Sequence, residues 1–135
     1  NPVIYATEDF AWDAGSQNQS WRRVPAEKFL EKLPVDSSAK YRFGIDGVNN
    51  AGEAIAFTGE PILPVWNEYR RELMIPPDVL RGFLETGELQ YLVLSQGRIA
   101  LGLLDEIRDI TGEYCEYDKV LSADFKSWVV FECGR

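Results

Sequence analysis

The sequence predicts an α+β fold, a single domain over residues 1–135 with a mixed, mostly antiparallel sheet of about four to five strands packed against about three to four helices. Three observations carry this expectation. Segments with period-two alternation and segments with helical spacing are interspersed without strict β–α–β alternation. Proline and glycine punctuate the chain at short intervals, and neither a linker nor an internal repeat divides it. Finally, 135 residues with a 45% hydrophobic share, four tryptophans, six tyrosines and seven phenylalanines suffice for one core without a staple.

The elements follow in order. Residues 3–6 form a short apolar run that reads as a first strand, and the polar, Gly/Ser/Asn/Gln-rich stretch 13–20 reads as a loop. Pro25 suits the first position of a helix carrying Phe29, Leu30 and Leu33, and Pro34 ends it. Tyr41, Phe43 and Ile45 alternate with Arg42, Gly44 and Asp46, the period of a half-buried strand. Residues 48–52 supply turn chemistry, so 54–57 is expected to return as the second arm of a hairpin.

Val65, Trp66, Tyr69 and Leu73 recur at helical spacing until Pro76-Pro77. A further helix is expected over 78–86, with Val79, Leu80, Phe83 and Leu84 on one stripe and Gly87 as its C-terminal cap. The apolar run 89–94 reads as a buried strand, and Ser95-Gln96-Gly97 as a turn. Ile99, Leu103, Ile107 and Ile110 define an amphipathic helix with Gly112 past its end; a hairpin through 98–104 is the rival, to which Gly102 lends weight. The Trp/Val/Phe-rich segment 127–133 is a last strand.

Chemistry is narrowed by what is missing. The chain has no histidine, which removes the Ser-His-Asp and Cys-His nucleophile systems and the usual zinc sites. It has no GxGxxG or GxxxxGK[ST] loop; the glycines around Asp46 read as turn glycines. No cofactor and no metal site are expected. Cys115 and Cys133 are too few for a disulfide framework and are read as reduced, in a cytoplasmic protein. No signal peptide is visible, and no apolar run approaches a membrane span. A net charge of −8 disfavours nucleic-acid backbones and anionic membranes, and is compatible with a basic protein partner or with plain solubility. The pairs Arg22-Arg23 and Arg70-Arg71 are too small for a nucleic-acid footprint, and Trp12 and Trp21, which bracket the 13–20 loop, more often close a core edge than mark a site.

Two sets of carboxylates remain. Asp46, Glu53 and Glu60 flank the expected hairpin and would be the acid/base groups of an enzyme acting on an uncharged substrate such as a sugar, given a cleft between them. The denser set is 105–118, with Asp105, Glu106, Asp109, Glu113, Glu116 and Asp118 against a single cation, Arg108. Asp105 and Asp109 lie one helical turn apart, but the spacing of a calcium loop is absent, and their first half has a sufficient account as the wet face of a helix. The second half does not, because negative charge at a helix C-terminus is disfavoured by the dipole. Glu113, Tyr114, Glu116, Tyr117 and Asp118, with Asp109, are therefore the expected partner-binding residues: tyrosines anchor interfaces while rim acids steer a basic partner. The resulting expectation is a small, non-catalytic binding or inhibitor protein of the immunity-protein or antitoxin type, occluding a nuclease-type toxin. A carboxylate-dependent enzyme and a structural scaffold are the alternatives.

Overall fold

The computed structural model describes residues 33, 35, 38–122 and 128–133. The strand expected at 3–6, the 13–20 loop with its flanking tryptophans, Arg22-Arg23 and the helix from Pro25 (apart from Leu33) lie outside those residues.

β1 (Phe43–Asp46) is buried at all four positions, the pattern of a strand covered on both faces. It pairs in parallel with β2 (Ile62–Asn67) on one side and with β4 (Tyr91–Ser95) on the other. A parallel neighbour cannot be reached through a tight turn, so the expected hairpin gives way to a crossover. Residues 48–58 form α1 (Val48–Thr58), closed by Gly59 in the left-handed region. Among the side chains described on this helix, Ala51 and Ala54 are buried while Ile55 is exposed. Thus Ile55, expected on the packed face of a return strand, faces outward.

The helix expected over Val65 to Leu73 is also replaced. β2 runs through Val65 and Trp66, a turn follows in which Asn67 Oδ1 accepts the N–H groups of Tyr69 (2.9 Å) and Arg70 (3.0 Å), and β3 (Glu72–Leu73) pairs back antiparallel. That side-chain turn diverts the backbone from helix. α2 (Pro77–Thr86) starts one residue before its expected range: Leu80 and Leu84 face inward and Gly87 caps it with φ 79°, while Val79, expected on the same stripe, is exposed.

Ser95 ends β4 and its Oγ accepts the N–H of Arg98, so the expected turn at 95–97 is instead the start of α3 (Gln96–Ala100). The single amphipathic helix expected from Ile99 to Ile110 is divided. Gly102 takes φ 76°, a 3-10 turn spans Asp105–Ile107, and α4 covers Arg108–Tyr114 with Gly112 inside it. Ile99, Ile107 and Ile110 are nevertheless all buried. β5 (Cys115–Tyr117) and α5 (Lys119–Ser122) lead to β6 (Trp128–Cys133), which pairs antiparallel with β4 and β5.

The sheet has six strands in the order β3-β2-β1-β4-β6-β5, mixed in direction, with three of its five pairings antiparallel. Period two sorts the side chains onto two cores. Leu92, Leu94, Val129 and Phe131 pack with Leu80, Leu84, Ile107 and Ile110 of the helices on one face. Tyr91, Val93, Trp128 and Val130 pack with Phe43, Ile45, Leu33 and the Ala51/Ala54 stripe of α1 on the other. No helix among the described residues is long and apolar enough to cross a membrane.

The cysteines correct their sequence reading. The β5/β6 register sets Cys115 opposite Cys133, and the two form a disulfide. A pair 18 positions apart in sequence is brought face to face by antiparallel pairing, which cysteine count alone does not reveal.

Candidate functional site

The structure disperses the acidic segment into distinct environments. Glu113, on the last turn of α4, pairs with Arg81 of α2 at 2.7 Å. Tyr114 donates its hydroxyl hydrogen bond to Glu85 of α2, and the Arg81 guanidinium lies 5.8 Å from its ring centre. The phenol is pushed above its usual range, chiefly by the hydrogen bond to Glu85 and in spite of Arg81. These four residues clamp α2 to α4, which answers the charge at the helix end: Glu113 and Glu85 are held by partners from the facing helix.

Further along, Cys115 points inward, Glu116 is exposed on the edge strand, and Tyr117 packs on Phe131 with ring centres 6.2 Å apart. Tyr117 is thus a core-edge residue, on the same face as Cys115 as alternation requires. Asp118 immediately precedes α5, its carbonyl accepting the N–H of Ser122 and its own N–H donating to the Val130 carbonyl. Asp109 is exposed on α4. Outward-facing carboxylates therefore persist at Asp109, Glu113 and Glu116. They are joined by Asp78 and Glu85 on α2 and by Asp105 and Glu106 on the 3-10 turn, all exposed. Among the described residues no group of three or more His, Cys, Asp or Glu is placed to hold a metal ion.

The second carboxylate set separates as well. Glu60 pairs with Arg42 (3.6 Å) at the amino end of β1, and Glu53 is exposed midway along α1. Asp46 is at the other end of β1, about 13 Å of strand rise from Arg42. No cleft carboxylate pair is formed by these three.

Asp46 itself has an unusual setting. It is fully buried at the carboxyl end of β1, where the chain departs to β2 on one side while β4 pairs on the other. Such switch points are where α/β sheets place polar sites. Asp46 Oδ2 accepts the N–H of Ser95 at 2.6 Å, and Oδ1 pairs with Arg98 Nη1, a guanidinium that is itself buried. Asn50 Nδ2 donates to the Asp46 carbonyl at 3.1 Å. Glu68, from the β2–β3 turn, accepts the N–H groups of Val48 (2.7 Å) and Asn49 (3.2 Å), supplying the N-cap that Gly47 lacks. Gly47, at φ 102°, is required here: a Cβ would lie 2.6 Å from Asn50 Nδ2 and 3.3 Å from Arg98 Nη1.

Burial raises the Asp46 carboxyl from 3.8 to about 6; Arg98 and the Ser95 N–H oppose the rise, and Glu68 adds to it. Both carboxylate oxygens are engaged, and Ser95 Oγ accepts the N–H of Arg98. The arrangement ties β1, β4 and α3 together. Arg98, Ser95 and Glu68 escape a sequence reading, but one signal points to the pair. Asp46 is the only charge between Arg42 and Glu53, and Arg98 the only charge between Glu88 and Asp105. A lone charge within an apolar run is expected to have a buried partner.

Comparison with protein-family models, with curated proteins and with solved structures yields no match.

Proposed function

We propose that the protein is a non-catalytic binding or inhibitor module that covers a basic protein partner, in the manner of an immunity protein or antitoxin against a nuclease-type toxin. One observation carries the reading. The layer formed by α2, the 3-10 turn and α4 exposes Asp78, Glu85, Asp105, Glu106, Asp109 and Glu113 against only Arg81 and Arg108. Arg81 is already engaged by Glu113. A layer so biased steers a cationic partner toward itself. Glu116 on the neighbouring edge strand extends the negative surface, and Tyr114 and Tyr117 serve as anchoring rings at its rim rather than as free hot spots. The disulfide shifts the expected setting from the cytoplasm toward an oxidising compartment, where such bonds persist.

The enzyme alternative would have to use Asp46, the one fully buried carboxylate among the described residues, and its oxygens are closed off by Arg98 and Ser95. The deciding experiment is co-expression with the product of an adjacent reading frame that encodes a basic toxin. Rescue of growth by the wild type and loss of rescue in D109K/E113K/E116K supports the module; rescue that survives the charge reversal removes this surface from the mechanism.

A further inference from the structure

We propose that the Cys115–Cys133 disulfide is a redox-operated clasp on β5: oxidised, it holds the strand against a like-charge pair built into the ladder, and reduction by a dithiol opens that end of the sheet. The register sets Glu116 directly opposite Glu132, one position from the disulfide. The two carboxylates therefore share the face that Cys115 and Tyr117 turn away from. Glu116 is exposed and Glu132 half-buried, and among the described residues no cation is paired with either. Like charges directly opposite each other work against strand pairing. β5 is three residues long and last in the strand order, so it has little ladder with which to resist them.

Alternation fixes which amides report on the pair. The Asp118 N–H donates to the Val130 carbonyl at 2.9 Å, and the Cys133 N–H turns the other way, to the Gln90 carbonyl beside β4. Glu116 and Glu132 therefore exchange both of their backbone hydrogen bonds, between the disulfide and the Tyr117–Phe131 contact. Beyond Tyr117 the segment has anchors of its own: the Asp118 bond, and the Ser122 hydroxyl that accepts the Val130 N–H at 2.9 Å. On the other side, Ile110 and Thr111 hold α4 in the core. Opening is thus confined to Cys115 and Glu116 and their partners Cys133 and Glu132. In the reduction a dithiol supplies two electrons and two protons, its own sulfurs join in a disulfide, and the protein is left with two thiols. No covalent bond then crosses the strands, while the carboxylate repulsion beside it persists. A disulfide in a neutral or oppositely charged ladder lacks this second term.

Hydrogen exchange on the full chain at neutral pH, corrected for intrinsic rates and run with and without dithiothreitol, tests this. Protection of the Glu116 and Glu132 amides should fall roughly ten-fold or more on reduction, and equally in C115S/C133S. The Asp118 and Val130 amides should keep theirs. In C115S/C133S/E132Q, where the opposed charges are gone, protection of the two reporting amides should recover by roughly two- to five-fold. Raising the salt concentration should move C115S/C133S in the same direction. Unchanged protection on reduction, a loss that spreads equally to Asp118 and Val130, or no recovery in C115S/C133S/E132Q would each overturn the clasp.

Discussion

Asp46 and Arg98 lie 52 positions apart in the chain and meet as a buried ion pair that joins the end of β1 to α3. Breaking the pair from the arginine side leaves a buried carboxylate without the cation that offsets its burial. R98M is expected to cost about 3–5 kcal/mol at neutral pH, because Asp46 has no exposed surface. D46N/R98M should recover most of that loss, since the Asn oxygen still accepts the Ser95 N–H and neither charge of the pair remains. Urea denaturation of the two variants beside the wild type measures both. A double variant as unstable as R98M would mean that packing, and not charge, dominates the site.

The pH dependence of stability follows from the same group. The folded-state value, about 6, is above the ordinary 3.8, so the stabilisation contributed by the protonated form is fully present below 3.8 and is lost as pH rises through 6. Relative to D46N/R98M, the wild type should therefore gain stability as pH falls across that window. Denaturant midpoints taken at intervals between about pH 4 and about pH 7 give the difference curve. A curve of the opposite slope would show Arg98 outweighing burial.

These residues also show what could be read without coordinates. α2 was legible because the Leu80/Leu84 stripe and the Gly87 cap agree, and β4 and β6 because their apolar runs are long enough for a covered strand. Around Val65 to Leu73 the same apolar spacing fits a helix or two strands about a turn, and only the Asn67 side chain and the φ of 57° at Arg71 decide it. For α1 the buried side chains among the described residues include Ala51 and Ala54, which carry too little hydrophobicity to announce a face. The buried pair was half legible: Asp46 stood out as a carboxylate, yet its partner depends on β4 lying beside β1, a parallel pairing that no local pattern encodes.

Two glycines around Asp46 are expected to resist substitution for different reasons. At Gly47 the backbone is left-handed and an added Cβ would meet Asn50 at 2.6 Å, so G47A should cost about 1–3 kcal/mol from strain. Gly44 has ordinary dihedrals, but its Cβ would lie 3.0 Å from Leu92 Cδ2 and 3.4 Å from both Leu89 and Val65 in the core under α2. G44A is an overpacking change of similar size, about 1–3 kcal/mol. Thermal unfolding of both, with G52A as a control where nothing lies within 4 Å, separates these effects from the loss of glycine as such.

The disulfide closes a loop between residues 18 positions apart, and it fixes the three-residue edge strand β5 to β6. Loop-closure entropy for that length corresponds to about 3 kcal/mol. C115S/C133S, or the wild type under a thiol reductant, should lose about 2–4 kcal/mol in denaturant unfolding. Exposed loss should concentrate in β5, while the β1–β2–β4 pairings keep their protection. A reduced protein with an unchanged midpoint would show that β5 is held by Tyr117 and the backbone ladder alone.

Binding and stability should separate on the acidic helical layer. Glu113 and Arg81 are substantially exposed, so breaking that pair costs the fold little, about 0–1 kcal/mol for surface ion pairs. Asp109 and Glu116 have no burial to lose. D109K/E113K/E116K should therefore unfold within about 1 kcal/mol of the wild type while changing net charge by six, from three acids to three bases. Against a basic partner, the association rate should fall by about ten-fold or more at low salt, with a smaller difference as ionic strength rises, because steering is screened over about 10 Å at 0.1 M. Stopped-flow association at several salt concentrations gives both slopes. Equal salt slopes for the two proteins would place the contact elsewhere on the molecule, away from α2 and α4.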